Sequence, residues 1–159
     1  MDKLTRNARE KCAAGALRRA TRSVSRLYDS RLARAGLTTT QFSILRSLER
    51  STLPVPLTQL AKEQVFERSS LYRALEPLRR EGLVRLSGED GRRAKAVALT
   101  VRGRQRFARA LPYWQEAQDE FLTQFGHNAW SRLSAHLGEI VEAAQLADAR
   151  GRIARRKNR

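Results

Sequence analysis

Two clusters in the middle of the sequence have the residue types and spacing to grip a polyanion. Arg68, Ser69, Ser70, Tyr72 and Arg73 crowd the start of one segment, and Arg92 and Arg93 stand side by side further on. A guanidinium is a planar fork that matches phosphate oxygens and the O6/N7 edge of guanine. Serine hydroxyls, and the first backbone N–H groups of a helix, suit phosphates. An arginine pair on a hairpin suits a narrow minor groove, where the potential is most negative. The chemistry on offer is non-covalent recognition of a duplex.

Those side chains need a particular scaffold. The stretch FERSSLYRALEPLRREGLV places Leu71, Ala74, Leu75 and Leu78 on one helical face and ends at Gly82. Pro77 lies inside the run and is expected to kink or end the helix. Next, Leu83–Ser87 reads as a strand, Gly88–Arg93 as a tip and Ala94–Leu99 as a returning strand with Val97 and Leu99 on one face. A short helix over about 57–64 precedes the long one, giving helix-turn-helix spacing. That spacing alone is a weak signal, and an exposed helical arginine is more often solvated than reading a base. The arginine-tipped hairpin placed directly after the helix tips the balance.

The flanks read as helices. Residues 8–34 carry Leu17, Ala20, Val24, Leu27, Tyr28 and Leu32 at steps of three and four, the mark of one buried stripe, with Gly36 as the stop. Thr38-Thr39-Thr40-Gln41 fits a capping box opening a helix with Phe42, Leu45 and Leu48 inward. Pro54 and Pro56 force a loop. Two long helices follow. The first holds Phe107, Leu111, Trp114, Phe121 and Phe125, with a kink expected at Pro112. The second, after Gly126, holds Trp130, Leu133, Leu137, Ile140, Val141, Ala144 and Ala147. So much apolar surface needs the body of the domain, or a second copy of the chain, to cover it.

The charge map agrees. The chain of 159 residues carries a net charge of +16, and 27 of its 32 basic residues are arginine. A GC-rich genome, which drifts toward arginine, would also explain the last figure, but not the distribution. Residues 1–35 are net +7, 66–106 net +6 and 150–159 net +6, whereas 107–149 are net −4. One part of the chain is built to touch a polyanion and another to stay off it. The tail RGRIARRKNR is expected to fray.

Little points elsewhere. His127 and His136 have no carboxylate or cysteine at ligand spacing, so neither a metal nor any other cofactor is expected. No phosphate loop, nucleophile elbow or dinucleotide turn is present, and no catalytic residue is assigned. The acidic trio Glu116, Asp119 and Glu120 fits a solvated helix face. The single cysteine, Cys12, excludes an intrachain disulfide. With no secretory leader and no bilayer-length apolar segment, the expected location is the cytoplasm, away from membranes.

Over about residues 8–149 the chain resembles the MarR family of transcriptional regulators. The likeness is carried by GLTTTQFSIL (36–45), LTQLAKEQVFERSSLYRALEPLRREGLV (57–84) and EDGRRAKAVALTVRG (89–103). It implies a mainly α fold with a small β-hairpin wing: a winged helix-turn-helix lobe (36–103), dimerisation helices (8–34 and 104–149) and the basic tail (150–159), all in a single domain, 1–159. It implies a homodimer on a near-palindromic double-stranded operator, acting as a repressor released by a small phenolic, aromatic or lipophilic effector, or by oxidation. By the same likeness Arg68, Ser69, Ser70, Tyr72 and Arg73 contact DNA, with Arg93 as the wing arginine and Arg92 beside it. The family often sets an aspartate directly before the arginine pair; here Gly91 intervenes after Asp90. Tyr28 and Phe42 are candidate effector contacts, equally readable as core. Some relatives sense peroxide through a cysteine near the start of the first helix, hydrogen-bonded by tyrosines. Cys12 and Tyr28 are the candidates here, the plainer reading of Cys12 being a half-buried, unreactive thiol. A winged-helix protein-interaction module that does not bind DNA is the alternative of another class.

Overall fold

The computed structural model describes residues 12–88 and 95–157, with side chains described as far as Gly151. The chain forms two compact units, residues 1–117 and 118–159. In order, the elements are α1 (Ala13–Leu32), a 3-10 turn (Ala33–Ala35), α2 (Thr39–Glu49), β1 (Val55–Pro56), α3 (Leu57–Glu63), α4 (Arg68–Arg80), β2 (Val84–Ser87), β3 (Ala96–Leu99), α5 (Val101–Phe125) and α6 (His127–Lys157). The fold is mainly helical with a small antiparallel sheet, as expected.

The first unit is held by one apolar core. Leu32, Phe42, Ile44, Leu45, Leu48, Leu60, Leu71, Leu75, Leu78, Leu83 and Val97 are all almost fully buried within it. Each such side chain contributes about 1.5–3 kcal/mol through removal from water. The expected stripe on α1 is buried only at its C-terminal end. Tyr28 and Leu32 are buried, Val24 and Leu27 pack against the core, but Leu17 is half-buried and Ala20 exposed. Burial raises the Tyr28 phenol above its ordinary pKa.

Local sequence sets the helix ends. Gly36 adopts φ +69°, and its N–H and that of Leu37 satisfy the last carbonyls of the preceding turn. The capping box at Thr38 is formed: Gln41 N–H donates to Thr38 Oγ1 at 3.3 Å and Thr38 N–H to Gln41 Oε1 at 2.9 Å. A partner not foreseen from sequence is Asp29 on α1. Its Oδ1 accepts from both the N–H and the hydroxyl of Thr39 at 2.6 Å, pinning α2 to α1.

The wing is a three-stranded sheet, not a bare hairpin. Its order is β1-β3-β2, with Val55 opposite Val97 and Val84 opposite Leu99. The Pro54–Pro56 stretch, expected as loop, supplies the third strand. Proline is tolerated there because β1 lies at an edge, where a missing N–H breaks no ladder.

Pro77 neither ends nor breaks α4, which runs on to Arg80. The bond it forfeits is to the carbonyl four residues back, that of Arg73. Helix α5 likewise continues through Pro112. It also begins at Val101, earlier than expected, because Thr100 caps it. Gly103 N–H donates to Thr100 Oγ1 at 3.0 Å, and that hydroxyl donates to the Gly82 carbonyl at 2.7 Å.

In the second unit Gly126, at φ +93°, turns the chain between α5 and α6. Phe121 stacks on Phe125 at 5.4 Å and meets Trp130 edge-on at 5.5 Å. The backbone stays helical to Lys157, so the tail does not fray from residue 150 as expected; strong helix formers outweigh the single Gly151. Along α6, Leu133, Ile140, Val141 and Leu146 are exposed in the single chain.

Candidate nucleic-acid interface

Helices α3 and α4 form the helix-turn-helix, and three contacts fix the first of them. Ser47 on α2 donates to Glu63 at 2.8 Å and accepts from Gln64 Nε2 at 2.8 Å. At the other end, Leu57 N–H donates to the Lys95 carbonyl at 2.9 Å, tying α3 to the base of the wing. The turn between the helices is closed by Gln64, Val65 and Phe66 N–H groups bonding back to Leu60, Lys62 and Ala61.

Val65 is a conformational outlier in that turn. It has φ +54°, although it is β-branched, and it is 56% exposed. A left-handed L-residue costs about 1–2 kcal/mol, and valine packs too little here to offset it. Val65→Gly is therefore expected to raise stability by about 1 kcal/mol, read as a higher midpoint in chemical denaturation. An unchanged or lower midpoint would count against strain at this turn.

The recognition helix α4 presents two different faces. Leu71, Leu75 and Leu78 are buried. Arg68, Ser69, Ser70 and Arg73 are exposed, and Tyr72 is half-buried against the edge of the core. Its charges are also divided along its length. At the C-terminal end Glu76 pairs with Arg79 at 3.0 Å and Arg80 at 3.7 Å. The Arg79 hydrogen bond holds the Glu76 carboxyl below its ordinary pKa. At the N-terminal end Arg68 and Arg73 pair with no acid among the described residues. The cations left available are those at the helix start, where no acidic residue occupies the first turn.

Two clefts open at that end. One, of about 460 Å³, is lined by Glu67, Arg68, Ser69 and Tyr72. The other, of about 520 Å³, lies between α4, the start of α3 and the wing base, and adds Thr58 and Lys95 to Arg68 and Tyr72. Thr58 and Lys95 were not singled out from sequence. The available signal was that each borders an element end, Thr58 in the first turn of α3 and Lys95 just before β3.

The other expected site residues lie elsewhere. Arg92 and Arg93, with Asp90 and Gly91, are outside the described residues. Tyr28 and Phe42 are both buried in the core, and Phe42 stacks on Phe107 at 5.3 Å and Trp114 at 5.9 Å. Cys12 is exposed rather than half-buried, because it stands just before α1 begins. Sixteen residues of helix separate it from Tyr28, about 24 Å at 1.5 Å per residue, so the two cannot hydrogen-bond within one chain. His136 pairs with Glu139, and no group of residues that could hold a metal ion occurs among those described. No described helix is long and apolar enough to cross a membrane.

A buried, leucine-lined helix with exposed cations at its start, beside a small sheet, defines a winged helix DNA-binding domain, and residues 37–103 match the family profile of that description. Among solved structures, the transcriptional regulator MosR of M. tuberculosis in complex with DNA is 36% identical, with a TM-score of 0.77 over 86% of this chain and 98% of that one. MosR without DNA is 34% identical, with a TM-score of 0.75 over 87% and 98%. The transcriptional repressor CouR, bound to a 23-mer DNA duplex, is 25% identical, with a TM-score of 0.71 over 83% and 94%; it is also known bound to p-coumaroyl-CoA. No curated protein sequence matches the chain. The chain belongs to the MarR family of winged helix-turn-helix transcriptional regulators. It is a DNA-binding regulator, not an enzyme.

Proposed function

We propose that this regulator acts in the cytoplasm as a homodimeric repressor that reads a near-palindromic operator and is released by a small aromatic or lipophilic effector. The single observation that carries the DNA reading is the exposure of Arg68 and Arg73 at the start of α4, where neither pairs with an acid among the described residues. In this reading α4 enters the major groove. Arg68 and Arg73 approach guanine edges, while Ser69, Ser70 and Tyr72 hold the adjoining phosphates. Thr58 and Lys95 grip the backbone between α4 and the wing, and Arg92 and Arg93 serve the neighbouring minor groove.

Dimerisation is supported by apolar surface that one chain does not cover: Leu133, Ile140 and Val141 on α6 and the exposed half of α1. We assign residues 8–34 and 104–149 to that association, residues 36–103 to the DNA-binding lobe and residues 150–159 to a basic tail, within one domain. The effector reading rests on CouR, which binds a CoA thioester. An effector seated at Tyr28 and Phe42 would have to part Phe42 from Phe107 and Trp114. The exposure of Cys12 favours a second reading, release by thiol oxidation. A Cys12→Ser variant that still leaves DNA under hydroperoxide would remove it.

The test is selection of bound sites from a random duplex library. A palindrome with half-sites about one helical turn apart is expected. Arg73→Ala should then weaken binding to the selected site by about 1–3 kcal/mol and relax preference at one position of each half-site. No enriched sequence would refute operator reading, and an unaltered Arg73→Ala would refute the assigned contact.

A further inference from the structure

The far end of the recognition helix is held by a side chain from outside the helix-turn-helix. Arg106 projects from α5 and is 19% exposed. Its Nη1 donates to Glu81 Oε2 at 3.2 Å and to the Ala35 carbonyl at 3.3 Å. Glu81 is the C-cap of α4, and Ala35 ends the turn joining α1 to α2. One guanidinium nitrogen thus spans α5, the end of α4 and the α1–α2 junction. The junction is shaped to admit it: Gly36 sits at φ +69°, and a Cβ there would come within 3.1 Å of Arg106 Nη1.

The position of this contact gives it leverage. The leucines of α4 provide attraction without direction, since apolar burial does not fix a rotation. A charge-assisted hydrogen bond does. From Glu81 to Arg68 the helix is about 20 Å long, so a tilt of ~5° about the Glu81 end displaces Arg68 by about 2 Å. That is larger than the ~0.5 Å tolerance of a placed recognition group. Phosphate contacts, being long-ranged and adaptable, are less sensitive to such a shift.

We propose that Arg106 is a positioning residue for operator reading. It locks the angle of α4 from the end opposite the DNA, and in doing so makes that angle depend on α5 and on the α1–α2 junction. The proposal rests on the DNA reading above. It predicts loss of sequence preference rather than loss of binding.

The full chain is compared with Arg106→Met, Arg106→Lys, Glu81→Gln and the Glu81→Gln/Arg106→Met double variant. Affinity is measured for the selected operator and for random duplex at one salt concentration, alongside amide hydrogen exchange without DNA. Arg106→Met is expected to lower the operator-to-random affinity ratio about tenfold, with random-duplex affinity nearly unchanged. Arg106→Lys should recover part of that ratio, and the double variant should be no worse than Arg106→Met alone. In Arg106→Met the amides of Glu81, Gly82 and Leu83 should exchange faster together with those of Gly36 and Leu37. An unchanged ratio, or an equal fall for operator and random duplex, overturns the proposal. If Arg106→Met does not fold, wild-type ratios in both Arg106→Lys and Glu81→Gln overturn it instead. Should the wild type show no operator preference, the DNA reading falls, and the clamp is decided by the exchange result: unlinked or unaltered amides refute it.

Discussion

Replacing Gly103 with alanine is expected to destabilise the first unit by about 3 kcal/mol. The sign is what makes the experiment informative. Within a helix, glycine to alanine ordinarily gains about 1 kcal/mol, and Gly103 lies inside α5. Here, however, the helix is pressed against the end of the wing. An alanine Cβ would run into the carbonyl oxygen of Leu83 and come within 2.9 Å of Leu99 Cδ2. Leu83 is buried, and its carbonyl also accepts the Thr100 N–H at 3.1 Å. Neither side of the contact can move without breaking the seam between α4, the sheet and α5. Thermal unfolding should show a midpoint lower by roughly 2–4 °C per kcal/mol lost. A variant as stable as the parent would mean that the seam is far looser than described.

Phe42→Ala is expected to cost about 3–5 kcal/mol. Phe42 is 2% exposed and lies against Phe107 and Trp114, with the Arg46 guanidinium over the outer face of Trp114 at 4.4 Å. Removing the ring leaves a cavity beneath two aromatic side chains whose partner is gone. This measurement separates the two meanings that Phe42 carried in the sequence. A residue kept only to line an effector cavity would be lost at little cost to stability. Denaturant titration of the free protein decides: a loss under about 1 kcal/mol would reassign Phe42 from core to cavity wall.

Much of the lobe was legible because local signals agreed with one another. The capping box at Thr38, the glycine stops at Gly36 and Gly126, and the leucine spacing of α4 each pointed to the element that forms. The exposed face of α4 followed in part from the same spacing, since fixing Leu71, Leu75 and Leu78 inward leaves Ser69, Ser70 and Arg73 outward, whereas Arg68 falls on the leucine side and is exposed because it opens the helix. The family likeness added the expectation of a near-palindromic operator and of a small-molecule effector.

What the sequence hid was contact between distant segments. Nothing local announces that Val55–Pro56 will join β3, that Asp29 will cap the next helix, or that Arg106 will reach Glu81 and Ala35. Pro77, read from sequence as kinking or ending its helix, does not end it, for a related reason. Pro77 and Pro112 each forgo one hydrogen bond, and whether that breaks a helix depends on the water and packing around the orphaned carbonyl. The strained Val65 was equally silent, because valine is ordinarily read as a strand or core residue. Thr58 and Lys95 became interesting only when folding set them beside Tyr72.

The outer strand of the wing has one more consequence. A sheet margin with free amide and carbonyl groups invites another chain to zip onto it and so to aggregate. On the β1 side that margin is two residues long, and one of them is a proline with no amide hydrogen to give. An incoming strand would find almost no rungs there. That flank of the sheet thus stays closed to polymerisation even where the protein is concentrated.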